Sequence, residues 1–580
     1  MLGLGPLLTR FAFWLHRRDV SVWYDPLYRL PLSGLEATLG LEPRRADFAA
    51  WWLRACGAVA ESAFRRPHRI SFENLARVHT PEHLESLGRP ETLAAIFSVD
   101  PSDVSVDEVM TTVRLACGGT LGGARETLRT RAPALNLLGG FHHAGPATAA
   151  GLCPVNDIAV AVTTLRAEGF RGQVAVLDLD AHPPDGLAAC LEADPDVWIG
   201  SLSGAGWGPL PRVDETVLPA GTGDAPYLDA LGALLSRMPR PRLAFVIAGG
   251  DVLAGDGMGT LGLSVAGARD RDLLIASELD GIPSVWLPGG GYSSRAWHVL
   301  AGTGMAVAAS SRDEIPRRYD PMSARFAQVS AALSPAELTE TGELTAADIE
   351  EDLGLRPRRR GLLLGFYSAA GMEHAMYRYG IFDQLERLGY RQFRASFDSP
   401  GAGERVRIFG QSGGQEHLLI EAVLERRRVA GIDALYVHWL SLRNPRAQFS
   451  DKRPRLPGQE VPGLGLAREI GTMLARMAIR LGLGGVVFRP AHYHTAYAAR
   501  HEFQFVDPDR QGRFEALVRD LAGLPLIEAT LAVAAGRVRL DGAPYAWEAD
   551  EMAFWLRESP ADAGEVDRER ERVRFTYDRR

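Results

Sequence analysis

Four short apolar runs in the first half of the chain each end in small residues and a reactive side chain. Leu137-Leu138 leads into Gly139-Gly140-Phe141 and then His142-His143; Val174-Ala175-Val176-Leu177 leads into Asp178-Leu179-Asp180-Ala181-His182. Leu243-Ala244-Phe245-Val246-Ile247 ends in Ala248-Gly249-Gly250-Asp251, and Val285-Trp286-Leu287 ends in Pro288-Gly289-Gly290-Gly291-Tyr292. Runs this short, bounded by turn residues, predict buried strands. Strand side chains alternate with period two, so Asp178, Asp180 and His182 project to one side of the second strand's end. A carboxylate beside an imidazole can bind a divalent transition metal. The same residues, taken alone, also fit a strand end with ordinary solvated acids. In open parallel α/β sheets, ligand sites form beyond the carboxyl ends of the strands. The four ends would then converge, with Asp180, His182 and Asp251 on a metal, His142 and His143 as bases, and Tyr292 as a donor.

The second half has a different pattern. Residues 313–358 predict a connector with short helices: Ser334-Pro335-Ala336-Glu337 offers an N-cap, a proline at the first helical position and a glutamate at the third. Thr345-Ala346-Ala347-Asp348 opens similarly, and Arg358-Arg359-Arg360 predicts a solvated edge. Leu362–Phe366 and Ala434–Trp439 predict strands. Apolar residues at 470, 473, 474, 477 and 481 predict a helix. Before that helix, Gly463 and Gly465 lie in a loop that can cradle a pyrophosphate. His492-Tyr493-His494 has no acid at ligand spacing, and fits an aromatic surface loop better than a second metal site. Glu565 to Arg580 alternates in charge, which predicts an exposed helix or frayed tail. The expected parts are a catalytic domain over 1–312, the connector over 313–358, a second α+β domain over 359–560 and a charged tail over 561–580.

The motifs GGFHHA (139–144), GLCPVND (151–157), LDLDAH (177–182), AGGD (248–251) and GGGY (289–292) resemble those of the zinc-dependent histone deacetylase superfamily, in its order and approximate spacing. The segment 78–84 and Leu261 to Arg269 match as well, and the flavour is that of class IV and bacterial members. The resemblance covers roughly residues 20 to 312. It implies a three-layer α/β/α arginase/deacetylase fold with a parallel sheet of about eight strands. It implies Zn²⁺, or Fe²⁺, on Asp180, His182 and Asp251, with an open position for water and substrate. His142 and His143 would be general base and general acid, and Tyr292 would donate to the oxyanion. Asp178 would orient His142, Asp185 would orient His143, and Asp178 matches a structural K⁺ position. Phe141, Gly151 and Leu152 would line the substrate channel, with Leu152 where many relatives have phenylalanine. Pro183-Pro184 replaces the usual residues after the metal histidine and removes two backbone donors. The second half faintly resembles the GCN5-related N-acetyltransferases, which would make Gly463 and Gly465 an acetyl-CoA loop.

Composition fits a globular enzyme: 580 residues, 46% hydrophobic and 23% charged. A net charge of −8 gives no electrostatic case for nucleic acid or an anionic membrane. Cys56, Cys117, Cys153 and Cys190 form no C-x-x-C pair, as expected of reduced thiols in a cytoplasmic protein. Met1 to Trp14 lacks the pattern of a signal peptide, and no run is long enough for a membrane span. The expected activity is hydrolysis of an acyl-amide of a lysine or polyamine. The alternatives are a catalytically weak acyl-lysine or metabolite binder, and a bifunctional protein with an acyltransferase-like second domain. Oligomeric state is not legible.

Overall fold

The computed structural model describes residues 17–32, 35, 39–316, 319–339, 362–451, 453–500, 502–556 and 563–578. The expectations for Met1 to Trp14, Thr345 to Asp348 and Arg358 to Arg360 lie outside the described residues. The chain divides into two compact units, Met1–Pro321 and Met322–Arg580.

The first unit is built on eight strands: β1 (Ser21–Trp23), β2 (Phe64–Arg65), β3 (Ala134–Asn136), β4 (Val174–Asp178), β5 (Val197–Ser203), β6 (Val213–Val217), β7 (Leu243–Ile247) and β8 (Ser284–Leu287). Their order is β2-β1-β3-β8-β7-β4-β5-β6, and every pairing is parallel. Parallel strands need covered faces, and helices surround this sheet. Val106–Thr130 packs on Asp157–Ala167, while Arg45–Ala55, Ala296–Ala309, Val265–Glu278 and Asp224–Leu235 pack on one another in succession. This is the three-layer arginase/deacetylase arrangement. All residues of β4 and β7 are buried, which explains their uninterrupted apolar runs. Burying each large side chain contributes about 1.5–3 kcal/mol.

β3, β8, β7 and β4 are neighbours, so the four runs that are far apart in sequence lie side by side. Their carboxyl ends share one edge of the sheet.

The second unit is α+β with a mixed sheet. β9 (Arg391–Gly401), β10 (Gly403–Ser412), β11 (Gln415–Val429) and β12 (Ile432–Leu442) form an antiparallel meander. The β11–β12 turn is Ala430-Gly431, both at positive φ, as a two-residue hairpin demands. The helix Ala467–Arg480 then leads to β13 (Gly485–Phe488), which runs parallel to β12. β14 (Gln504–Phe505) and β17 (Met552–Trp555) complete the order β14-β17-β13-β12-β11-β10-β9. β15 (Val538–Leu540), β16 (Ala543–Pro544) and β18 (Phe575–Tyr577) make a separate small sheet.

Two expectations change here. Leu362–Phe366 is not a strand. Leu363 bridges Tyr367 across a tight turn with Leu364 at φ 55°, where Gly365 breaks the extended run. The charged end forms a helix, Ala563–Arg572, as one of its two expected outcomes had it, but this helix packs on Pro508–Asp520 and is followed by β18 on β15 where a frayed tail was the other. Glu569 is buried, held by Arg513 and Arg572, and Val573 and Phe575 enter the core. The capping box of Ser334 is formed: Glu337 N donates to Ser334 Oγ, and Ser334 N donates to Glu337 Oε2. Among the described residues no helix is long and apolar enough to cross a membrane.

Candidate functional site

At the edge shared by β3, β8, β7 and β4 the carboxylates are fixed by backbone. Asp180 Oδ2 accepts from Gly290 N at 2.6 Å and Asp251 Oδ1 from Ala181 N at 3.0 Å. Each acid is thereby tied to a loop from another strand. His182 Nδ1 lies 3.0 Å from Asp180 Oδ1 and 3.1 Å from Asp251 Oδ2. One ligand atom from each of the three falls within 4.8 Å of the other two. Glycine is required beside them: a Cβ on Gly249 would stand 2.7 Å from the Asp180 Cα, and one on Gly290 would stand 2.5 Å from Asp251 Oδ2.

The histidine pair stands next to this cluster, its rings 4.0 Å apart. His142 Nδ1 meets Asp178 Oδ2 at 2.8 Å, and its Nε2 is 3.7 Å from Asp180 Oδ1. His143 Nδ1 meets Asp185 Oδ1 at 2.7 Å. Pro183-Pro184 leaves this second pair in register, because Asp185 opens the helix Asp185–Leu191 and Pro184 sits at its N-cap. Proline is tolerated there, where its missing donor would be idle. Leu187 N then donates to the His142 carbonyl at 2.7 Å.

The electrostatics follow from burial and mutual charge. Burial pushes the His182 imidazole down, but hydrogen bonds to Asp180 and Asp251 reverse it and raise its pKa to about 10. Burial likewise opposes charge on His142, and Asp178 and Asp180 overcome it, raising it to about 9. Asp251 is raised to about 8, first by burial and then by the Asp180 charge. Asp180 is also penalised by burial, yet His142 and His182 hold it well below the usual carboxylate range. Burial, then the His142 charge, lowers His143. Tyr292 is raised by burial and by Asp180 and Asp251, which keeps its hydroxyl protonated. Two buried carboxylates sharing a proton-rich imidazole are the donor set that a divalent cation fits, since its charge replaces the protons the cluster otherwise retains.

Phe141 and Leu152 are half-buried, and Gly151 and Leu152 turn with φ 53° and 64°. Gly151 packs its Cα against the His143 ring, leaving no space for a Cβ. The structure thus places all three near the histidine pair or the loop that carries it.

Four further residues had no role in the sequence reading. Trp207, about half exposed, stacks on His143 with ring centroids 5.2 Å apart and planes at 27°. It comes from the loop after β5, where a tryptophan between Gly206 and Gly208 is the one sequence cue. Asp157 Oδ1 accepts from Phe141 N at 2.8 Å and Asp157 Oδ2 from Thr120 Oγ1 at 2.6 Å, so the GLCPVND motif fixes the loop of the histidines. Arg45 donates to the Gly289 carbonyl at 2.8 Å. Arg271 is fully buried behind the strand ends.

In the second unit, Gly465 has φ 71°, and Gly463 lies two residues before it in the loop leading to Ala467–Arg480. His492 and His494 stack 5.7 Å apart at the start of the helix Tyr493–Ala499, and His494 is half-buried. Asp180, His182 and Asp251 are the one group among the described residues whose side chains are close enough together to hold a metal ion.

A three-layer sheet whose adjacent strand ends gather two acids, three histidines and a tyrosine defines the arginase/deacetylase class of α/β protein. Residues 41–307 match the model of the histone deacetylase domain. The chain is 29% identical over 311 residues to histone deacetylase 2 of Arabidopsis thaliana, covering 51% of this chain and 80% of that protein. It is 27% identical over 330 residues to histone deacetylase 8 of Danio rerio, covering 52% and 84%. An uncharacterised protein of Picosynechococcus sp. is 34% identical over 187 residues, covering 31% of this chain and 62% of its own length. Residues 41–307 of the first unit thus match a histone deacetylase domain, and the named relatives that they resemble are deacetylases and therefore hydrolases.

Proposed function

We propose that the first unit is a metal-dependent amidohydrolase that removes an acyl group from the amine of a lysine or polyamine. The observation that carries this reading is the convergence of Asp180, His182 and Asp251 with two histidine–carboxylate pairs at one sheet edge. A Zn²⁺ or Fe²⁺ ion held by the three would supply a Lewis acid for the acyl carbonyl and for water. His142, with Nδ1 committed to Asp178, would offer Nε2 as the general base once a bound cation offsets the Asp180 and Asp251 charges that otherwise keep it protonated. His143, oriented by Asp185, protonates the leaving amine. Tyr292, protonated and 9% exposed, donates to the developing oxyanion. Phe141 and Leu152, with Trp207 stacked on His143, hold the acyl chain. A degenerate binder would be expected to lack a ligand or the tyrosine, and none is absent.

A K⁺ site at Asp178 belongs to the same reading. The β4–β5 register sets Ser201 opposite Asp178, and the buried Ser201 hydroxyl has no hydrogen-bond partner. Four free cysteines, three of them buried, suit a reducing cytoplasm.

For the second unit, one observation favours an acyltransferase-like reading: β12 pairs with β13 only over Leu435–Val437 and runs on to Leu442, with Gly463, Gly465 and the helix Ala467–Arg480 joining the two parallel strands. Acetyl-CoA that raises the melting temperature of the purified chain would support it; no shift at saturating concentration would end it.

The hydrolase reading is tested by incubating the zinc-loaded chain with acyl-lysine peptides and acyl-polyamines and measuring released amine. Turnover of one class, lost on chelation and restored by metal, is the expected result. Stoichiometric metal with no turnover of either class would leave the binder.

A further inference from the structure

Among the described residues Arg271 is the one arginine with no solvent exposure, and nothing in the proposed chemistry uses it. It sits in the helix Val265–Glu278 with no exposure. Its Nε donates to Asp272 Oδ1 at 2.8 Å, and Asp272 Oδ2 accepts from Thr303 Oγ1 at 2.6 Å on the helix Ala296–Ala309. Its Nη1 donates to the Gly249 carbonyl at 2.8 Å and to the Leu179 carbonyl at 3.5 Å. Burial raises the Tyr227 phenol, and the charge of the same guanidinium opposes that shift.

Leu179 precedes Asp180, and Gly249 lies two residues before Asp251. One guanidinium therefore joins the main chain of the two strand ends that present both acidic ligands. Burying a cation is costly, and an apolar side chain of similar volume often does as well for stability. What an apolar side chain cannot supply is a planar fork with donors in fixed directions. The carboxylates themselves are tied to backbone amides, Asp180 to Gly290 and Asp251 to Ala181. Whatever fixes the backbone at Leu179 and Gly249 therefore fixes the spacing of the ligand oxygens.

We propose that Arg271 is a positioning residue for the metal site: it clamps the ends of β4 and β7 at the separation that Asp180 and Asp251 need to share one ion. Asp272 and Thr303 hold the guanidinium in register. The proposal rests on the metal reading above. It also separates two kinds of arginine in the unit. Arg166 makes a similar set of bonds, Nε to Asp194 Oδ2 at 2.8 Å and Nη1 to the Gly172 carbonyl at 2.9 Å, but at the amino-terminal edge of β4, away from the site.

The test uses the full chain stripped of metal, with the zinc Kd read by competition against a chromogenic chelator. Arg271→Lys keeps the charge and loses the fork; its Kd should weaken by about 10–100-fold, the usual effect of losing a residue that orients ligands. Thr303→Val should weaken it less, in the same direction. Arg166→Lys should leave it within about twofold of the parent even where its melting temperature falls. A folded Arg271→Lys chain with the parent's Kd overturns the proposal. So does an Arg166→Lys chain that loses as much affinity, since the effect would then be general destabilisation. If Arg271→Lys does not fold, Thr303→Val decides, and an unchanged Kd there counts against the clamp. A parent chain that binds neither zinc nor ferrous iron removes the metal reading itself, which is a distinct result from a parent that binds and an Arg271→Lys chain that binds equally.

Discussion

The two units use β-structure in opposite ways. In the first, every strand runs the same direction, so each ends at the same edge, and residues from positions 142, 182, 251 and 292 meet there. In the second, β9 to β12 alternate in direction, and their polar side chains face one another across strands instead. Asp398 takes both Arg405 and Arg407, and Arg394 pairs with Glu416. Such partly exposed pairs set register and each contribute about 0–1 kcal/mol. A parallel sheet concentrates sequence-distant chemistry at one edge; a meander spreads it over a face. The reactive cluster in the first unit and the dispersed ion pairs in the second follow from that difference.

The sharpest way to break the contrast is to remove one ligand. Asp251→Ala should abolish both stoichiometric metal and hydrolysis in the full chain, with the second unit's melting unchanged. Full metal content by elemental analysis in that variant would mean the sheet edge is not the metal site.

The tyrosine comes next. Tyr292→Phe should lower kcat by about 10²–10³, with KM nearly constant, because the hydroxyl acts on charge that develops only in the transition state. An unchanged kcat would leave Tyr292 as a packing residue of the core in which it is already found.

The pH response of the metal-free chain should sharpen the contrast further. His142 and His182 have folded pKa values raised from 6.5 to about 9 and about 10, so the folded state holds more protons than the unfolded one above pH 6.5. Asp251, raised from 3.8 to about 8, acts in the same sense. The histidines' stabilisation is fully present below pH 6.5 and is lost as pH rises through 9 and 10, while that of Asp251 is full below 3.8 and lost through about 8. The first unit's melting temperature in chelator should therefore fall from pH 6.5 to 9, while the metal-loaded chain, whose ligands are already deprotonated, should fall much less. Parallel curves with and without metal would contradict the proton-for-metal exchange.

Trp207 offers a smaller effect. Losing an aromatic stack is worth about 0.5–1.5 kcal/mol, so Trp207→Ala should raise KM by about 2–10-fold on bulky acyl substrates, with kcat little changed. Equal KM values would place the indole outside the substrate path.

How much of this was legible in the sequence depended on how local each feature is. Asp178, Asp180 and His182 sit on one strand end, so period-two alternation was enough to group them. The link to Asp251 and the histidine pair came from the rule that parallel strands gather ligand residues at their carboxyl ends, and the order of the sheet makes those four ends neighbours. Trp207, Arg45, Asp157 and Arg271 act from a loop or from helices whose placement depends on tertiary packing, and no spacing rule reaches them. Leu362–Phe366 misled because an apolar run with Gly365 fits a strand and a turn equally well. The charged end misled because alternating Arg and Glu fits solvent, yet Glu569 is buried between Arg513 and Arg572.

The claim at the centre of this account is that the first unit carries the hydrolysis by itself. The most direct measurement is turnover of a small acyl-lysine substrate by a chain ending at Pro321, loaded with zinc and compared with the full chain. A unit of this length buries enough surface to fold alone, and we predict kcat/KM within a few-fold of the full chain at equal metal content. A truncated chain that is folded and zinc-loaded but inert would contradict it.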